Sequence, residues 1–246
     1  MTDIFGWKYI HFDIIGSTND EAKNYCSGLS GKTIIHADQQ TAGRGRRGRN
    51  WVSQKGNLFF SLVFEYNLQK LGFLVMISAL SLAQAVEELS KQTKPQLKWP
   101  NDVLLNGAKL SGILLEKGEG NYIIVGIGVN IASAPENSEL LYRATSLKDN
   151  GINCTAKEFL RIYLQKFNYQ LNKIAENEIT YLRQEWLKRA YGIGKSLIVR
   201  QEEKTEHGVF SGIDDNMALL LEQDGKIKKI LVGDVFFENG DKNGRI

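Results

Sequence analysis

Residues 43–49 read Gly43-Arg44-Gly45-Arg46-Arg47-Gly48-Arg49, four guanidiniums and three glycines in seven positions. Like charges about 6 Å apart repel by roughly 0.7 kcal/mol per pair even in water, and each glycine adds backbone entropy that ordering must remove. Such a segment opposes folding, so its chemistry points to an anionic partner. Arginine forks grip phosphate or carboxylate oxygens while glycine lets the main chain close around them. Trp51, just beyond, offers an aromatic plane on which a base can stack. A second group is Lys98-Trp99-Pro100-Asn101-Asp102, with Lys109 a few residues on. As chemistry, Lys98 is a cation held near a reacting phosphate and oriented by Asn101 and Asp102. As structure, the same residues are a strand end with a solvated lysine and an Asn/Asp turn.

The Arg/Gly run also has plainer readings, a disordered nucleic-acid arm or a solvated surface loop. The chain carries no low-complexity extension, however, and the strand-like stretch 57–64 follows within a few residues. A loop pinned between ordered elements is more like a binding-site loop than a tail.

The elements that must hold these residues are legible in outline. Residues 9–14 alternate and read as a strand. Ser17-Thr18-Asn19-Asp20-Glu21 reads as a helix start, with Thr18 as cap and Glu21 completing a capping box. Residues 32–37 form a strand that delivers the chain into the Arg/Gly loop. From Leu74 to Leu89, Val75, Ala79, Leu82, Val86 and Leu89 recur at alternating spacings of four and three, the stripe of a core-facing helix. Strands at 96–99, 103–105 and 109–116 follow, the last two joined by Asn106-Gly107, a hairpin signal. A hairpin returns its second strand beside the first, which makes a common site for Lys98 and Lys109 plausible. Residues 122–131 are nearly all apolar and read as a buried central strand, whose Gly126 and Gly128 allow close approach of a ligand or another backbone. Thr155 and Glu158 form a second capping box ahead of the stripe Leu160, Leu164, Phe167, Leu171 and Ile174, and a further helix covers 179–190. Short strands at 196–200, 207–213, 217–222 and 227–231 then suggest a small barrel.

Bulk composition narrows the class. The 246 residues suffice for one large and one small domain. Lys+Arg of 31 against Asp+Glu of 28 gives only +3, so the basic character is local to the loop and favours a small charged ligand over a long polyanion. No apolar run approaches 18 residues and the N-terminus lacks a signal-peptide pattern. Cys26 and Cys154 have no metal-ligand spacing, so no metal site is expected and the thiols read as free, in a cytoplasmic protein.

Four motifs together resemble biotin protein ligases: the 43–49 run with Trp51, Lys98-Trp99-Pro100-Asn101-Asp102, Lys109-Leu110-Ser111-Gly112-Ile113-Leu114-Leu115-Glu116, and Gly126-Ile127-Gly128-Val129-Asn130. They occur in that family's order and at similar spacing. The resemblance implies an α+β fold: a class II synthetase-like catalytic domain over 1–192, with a mixed, largely antiparallel sheet and flanking helices, and then an SH3-like barrel over 193–246. It implies biotin and ATP as substrates, Mg²⁺ accompanying ATP, and the biotin carboxyl carrier domain of a carboxylase as partner, with no membrane and with a homodimer as one possible assembly. The catalytic pattern begins almost at residue 1, which implies a ligase without DNA binding or repressor function.

By similarity, Arg44, Arg46, Lys98 and Lys109 are the catalytic cations. Ser17, Thr18, Asn19 and Gln40 hydrogen-bond the ureido end of biotin, and Gly112, Leu114 and Gly126 line the slot for its rings and tail. Gly43, Arg44, Gly45, Arg46 and Lys109 complete the biotin set. Arg46, Arg47, Gly48, Trp51, Lys98, Asn101 and Asn130 surround the nucleotide. Some members carry a basic residue near the last strand that helps hold ATP; this chain reads Gly233-Asp234-Val235-Phe236-Phe237-Glu238 there, which speaks against a C-terminal contact with nucleotide. Rival readings are a lipoate ligase or octanoyltransferase of the same fold, an Arg/Gly RNA-binding module, and a biotin-sensing pseudoenzyme.

Overall fold

Period-two alternation and long apolar runs in the first half build one large sheet, in the order β1-β2-β3-β4-β8-β7-β6-β5. Its strands are β1 (Thr2–Ile4), β2 (Trp7–Ile15), β3 (Thr33–Gln40), β4 (Leu58–Glu65), β5 (Gln96–Lys98), β6 (Asp102–Leu105), β7 (Ala108–Lys117) and β8 (Tyr122–Val129). This computed structural model describes residues 2–26, 31–67, 70–135 and 143–237. All pairings are antiparallel except β2 with β3, which run parallel because helix α1 (Thr18–Asn24) crosses between them. Ala22 and Cys26 of that crossover pack on Ile35, Val63 and Ile124, one small core on one face of the sheet.

The opposite face is covered by α2 (Leu71–Leu89) and α3 (Ala156–Ala175). The single stripe expected for α2 is too narrow: Val75 and Leu89 are only partly buried, whereas Ser78 and Ser81 are fully buried. Helix α2 is sandwiched between the sheet and α3, so its burial runs almost around the cylinder, and Ser78 Oγ satisfies itself on Leu74 O at 2.6 Å. Its 19 residues are long and apolar enough to cross a membrane, yet two thirds of that window is buried inside the protein. It is the core helix of this fold. The Thr155 capping box forms as expected, with Glu158 N donating to Thr155 Oγ1 at 3.2 Å and Thr155 N to the Glu158 carboxylate at 3.5 Å. Thr155→Ala should therefore lower stability by about 1 kcal/mol, read from urea denaturation.

The Asn106-Gly107 turn joins β6 and β7 with both φ angles positive, at 50° and 74°, a twist that matches the flanking strands. Strand β8 is central, paired with β4 on one side and β7 on the other. After α4 (Ile179–Leu187), which ends three residues before the expected limit, a second sheet runs β12-β11-β10-β9-β13, all antiparallel and SH3-like. Its strands are β9 (Ser196–Arg200), β10 (Thr205–Ile213), β11 (Leu219–Gln223), β12 (Lys226–Ile230) and β13 (Asp234–Phe237). The expected barrel from 238 to 246 lies outside the described residues. The two sheets share a continuous core in which Leu182 and Trp186 of α4 meet Leu197, Val199 and Phe210.

Candidate functional site

The expected cap at Ser17-Thr18 does not form. Ser17 is the residue before the helix but makes no side-chain cap, and Thr18 lies inside it. Instead Thr18 N donates to Gln40 Oε1 at 2.8 Å, so a side chain from the end of β3 caps the helix across the crossover. Ser61 of β4, buried at 0% exposure, donates to Asn19 Oδ1 at 2.6 Å, and its hydroxyl oxygen lies 2.8 Å from the Thr18 hydroxyl. Asn19 Nδ2 in turn donates to Glu116 of β7 at 2.6 Å. A polar serine inside the apolar run 58–64 of β4 is a sequence signal for this network. The result is a fixed row of hydroxyl and amide groups at one end of a cavity of about 520 Å³.

Glycines give that cavity its floor. A Cβ at Gly126 would overlap the Asn19 amide, and one at Gly128 would overlap the Trp51 indole. Gly112 lets Lys109 lie back across β7, where a Cβ would come within 3.2 Å of Cε and 3.0 Å of the Trp51 ring. Lys109 Nζ sits 5.5 Å from the centre of that ring and 2.6 Å from Asp102 Oδ1. Trp51 Nε1 is buried with no hydrogen-bond partner, a donor that a ligand in the cavity can satisfy. Gly126→Ala should push Asn19 out of the row and cost about 1–3 kcal/mol of stability, read from chemical denaturation.

The Arg/Gly run is ordered. Gly45 N donates to Arg49 O at 2.7 Å, and a turn over residues 46–48 puts Arg47 at φ 54°. Arg44 forks onto Asp20, with Nη2 to Oδ1 at 2.7 Å, and reaches Glu116 at 3.4 Å. The hydrogen bond to Asp20 raises the guanidinium above its usual range, and the same bond lowers the Asp20 carboxyl. Arg46 donates to Asn101 Oδ1 at 3.2 Å and to Gly233 O at 3.3 Å, and pairs with Asp234 Oδ1 at 3.3 Å. Burial lowers the Arg46 guanidinium, with Asp234 acting against it. Arg47, at 3.5 Å, and Arg49 also reach Asp234. Three guanidiniums thus converge on one buried carboxylate of β13, and the loop is latched between the two sheets.

Lys98 and Lys109, on β5 and β7, line the same cavity, as do Asn101 and Asn130. Lys98 is buried and its Nζ lies 5.7 Å from the Phe237 ring. Asn101 Nδ2 donates to Ile113 O at 2.8 Å, which fixes the amide oxygen that Arg46 uses. Asn130 Nδ2 donates to Thr145 O at 3.1 Å and so holds the segment after residue 143 against the cavity rim.

The pattern of the biotin/lipoate A/B protein ligase family matches residues 12–130, and that of the biotin protein ligase C-terminal domain matches 192–238. The biotin–[acetyl-CoA-carboxylase] ligase of Paracoccus denitrificans is 38% identical over 232 residues, covering 90% of this chain and 97% of the relative. The chain belongs to the biotin protein ligase family. The bifunctional ligase/repressor BirA of Bacillus subtilis is 34% identical over 245 residues, 95% of this chain and 75% of that relative. Among solved structures, the biotin protein ligase of Aquifex aeolicus in complex with biotin and ATP superposes with a TM-score of 0.84 at 30% identity, covering 93% and 97% of the two chains.

In this ligase, most of the residues picked from the sequence meet at one cavity: Ser17, Thr18, Asn19, Gln40, Arg44, Gly45, Arg46, Trp51, Lys98, Asn101, Lys109, Gly112, Leu114, Gly126 and Asn130 all line it. Gly43, Arg47 and Gly48 do not. A Cβ on Gly43 would lie 2.6 Å from Trp51 O and 2.7 Å from Ser53 Oγ, so its service is to the turn that presents Trp51. Arg47 spans from Arg200 O at 3.2 Å to Asp234 at 3.5 Å, on the side of the latch toward the second sheet, and Gly48 supplies a φ of 70°. Acids complete the site, and of them only Asp102 is singled out in the sequence, as a partner of Lys98. Asp20 and Glu116 hold Arg44, Asp102 holds Lys109, and Asp234 holds the loop. Their signal is a plain one: buried or crowded cations need counter-charges. The C-terminal sheet does reach the cavity, through Asp234 and Val235.

Proposed function

We propose that this ligase forms biotinyl-5′-adenylate from biotin and Mg-ATP and then passes the biotinyl group to a lysine of a biotin carboxyl carrier domain. A biotin carboxylate oxygen attacks the α-phosphorus, the bond to the bridging oxygen breaks, and pyrophosphate leaves. The carrier's ε-amine then attacks the acyl carbon, loses a proton and releases AMP. The observation that carries the reading is the cavity itself, with a fixed polar row at one end, a tryptophan bedded on two glycines in the middle, and Arg46, Lys98 and Lys109 along the rest.

Each part meets a physical demand of that chemistry. The row from Ser17 to Gln40 suits a ureido group, which offers both donors and an acceptor, in a position fixed before binding. Lys109 neutralises the carboxylate as it nears the phosphate, and Lys98 and Arg46 offset charge on the triphosphate. Both carboxylates in the lining, Asp102 and Asp234, are already ion-paired, so Mg²⁺ arrives as part of the nucleotide. No nucleophile is required of the chain because the attacking amine belongs to the carrier. We assign the two sheets to a catalytic domain up to about residue 192 and a barrel beyond it, with the Arg46–Asp234 contact between them.

The test is to combine the purified protein, ATP, Mg²⁺ and a carrier domain with either biotin or lipoate, then weigh the carrier. One biotinyl group per carrier is expected, with no lipoyl addition. Lipoyl transfer at a comparable rate would favour the rival ligase, and biotin binding without any adenylate would favour a sensing role.

A further inference from the structure

Two of the three histidines of the chain lie together, far along the sheet from Lys98 and Lys109. His11 on β2 and His36 on β3 are direct partners across the parallel pair, with ring centres 5.0 Å apart. Asp38 follows two residues after His36 and accepts from or pairs with His11 Nε2 at 2.9 Å. One imidazole nitrogen from each histidine and a carboxylate oxygen of Asp38 all lie within 4.8 Å of one another. His36 is buried, only 4% exposed, and is held through Nδ1 by the Tyr9 hydroxyl at 2.6 Å. Its Nε2 has no hydrogen-bond partner at all. A buried imidazole nitrogen left without a partner is costly unless something occupies it.

We propose that His11, His36 and Asp38 form a binding site for a divalent transition-metal cation of the zinc class. Two imidazoles and one carboxylate are a ligand set this class accepts, with a fourth position left for water. Ligand bonds of about 2.0–2.2 Å place neighbouring donors roughly 3.4 Å apart, so the trio closes by about an ångström or less per side chain. His11 and Asp38 can supply that movement because each is over a third exposed, at 36% and 41%. With Nδ1 engaged by Tyr9, Nε2 is the His36 nitrogen left with a lone pair to give. Tyr9 would be the outer partner that fixes the ring, the arrangement usual for metal-bound histidine. The bound ion would tie β2 to β3 two residues before Gln40, the residue that caps α1 at the cavity.

The full chain, stripped with a chelator, is titrated with Zn²⁺ by calorimetry and with Co²⁺ by visible absorption. One tight equivalent per chain is expected, with a d–d spectrum of a four-coordinate site. Saturating Zn²⁺ at a hundred times Kd should raise Tm by about 5–10 °C. His11→Gln and Asp38→Asn, both on exposed side chains, should weaken binding at least tenfold and abolish the Tm shift; His207→Gln should change neither. Absence of a stoichiometric site overturns the proposal. So does binding that survives His11→Gln and Asp38→Asn, which would place the ion elsewhere. His36 would then be a core histidine held by Tyr9.

Discussion

Lys109→Ala is expected to lower the rate of adenylate formation by about 10²–10³-fold, the usual effect of removing one fixed charge from a site where charge develops. Pyrophosphate release with saturating biotin and ATP is the measurement. Two effects are mixed in that variant, since Asp102 Oδ1 loses the ammonium 2.6 Å away and Asp102 is itself buried. Leaving one buried partner alone can cost about 3–5 kcal/mol of stability. The double variant Lys109→Ala with Asp102→Asn separates them: thermal stability should return, and adenylate formation should stay low. Recovery of the rate in the double variant would mean that Lys109 serves Asp102 and not the substrate. Lys109→Arg keeps the charge but not the compact ammonium that lies over Trp51 beside Gly112, so partial activity is expected from it.

Arg46→Gly is expected to loosen retention of the intermediate by about 10–100-fold while sparing its formation in larger part. Arg46 is the residue that ties the loop to both sheets, through Asn101 on one side and Gly233 O and Asp234 on the other. Losing three contacts of about 1–1.4 kcal/mol net each, some of them charge-assisted, is enough for a change of that size even if they overlap. The leaked acyl-adenylate should label bystander amines, read as biotin on an added non-carrier protein. Asp234→Asn is expected to act in the same direction, because it removes the common anchor of Arg46, Arg47 and Arg49. Retention unchanged in both variants would show that the latch does not govern the intermediate.

The parts of the fold written in local pattern were legible. Asn106-Gly107 gave the hairpin, Thr155 and Glu158 gave the start of α3, and the apolar run at 122–129 gave the central strand. Three features were not. The Thr18 cap failed because Gln40, 22 residues away, supplies the acceptor; a long-range partner overrides the local rule. The narrow stripe expected of α2 widened because a helix between two layers buries more than one face. Strand β1 is three residues long and has no pattern to detect.

The site divides in the same way. Glycines in a strand and cations announce themselves by type, which is how Gly126, Lys98, Lys109 and the arginines could be picked, whereas Gly112 comes from the family resemblance. Most of the cations' counter-charges do not, because Asp20, Glu116 and Asp234 look like ordinary surface acids until the sheet brings each one under a guanidinium, and Asp102, read as orienting Lys98, in fact pairs with Lys109. Arg47 and Gly48 differ from the other residues of the run. The family resemblance placed both in the nucleotide set; in this structure Arg47 pairs with Asp234 and Gly48 makes the turn, and neither lines the cavity itself.

Isotope exchange between pyrophosphate and ATP is the most direct test of the central claim, because it reads the reversible attack of a carboxylate on the α-phosphate without any carrier. Exchange should require biotin and Mg²⁺ together, be silent with lipoate, and fall by about 10²–10³-fold in Lys109→Ala. Exchange that proceeds without biotin, or equally well with lipoate, would contradict it.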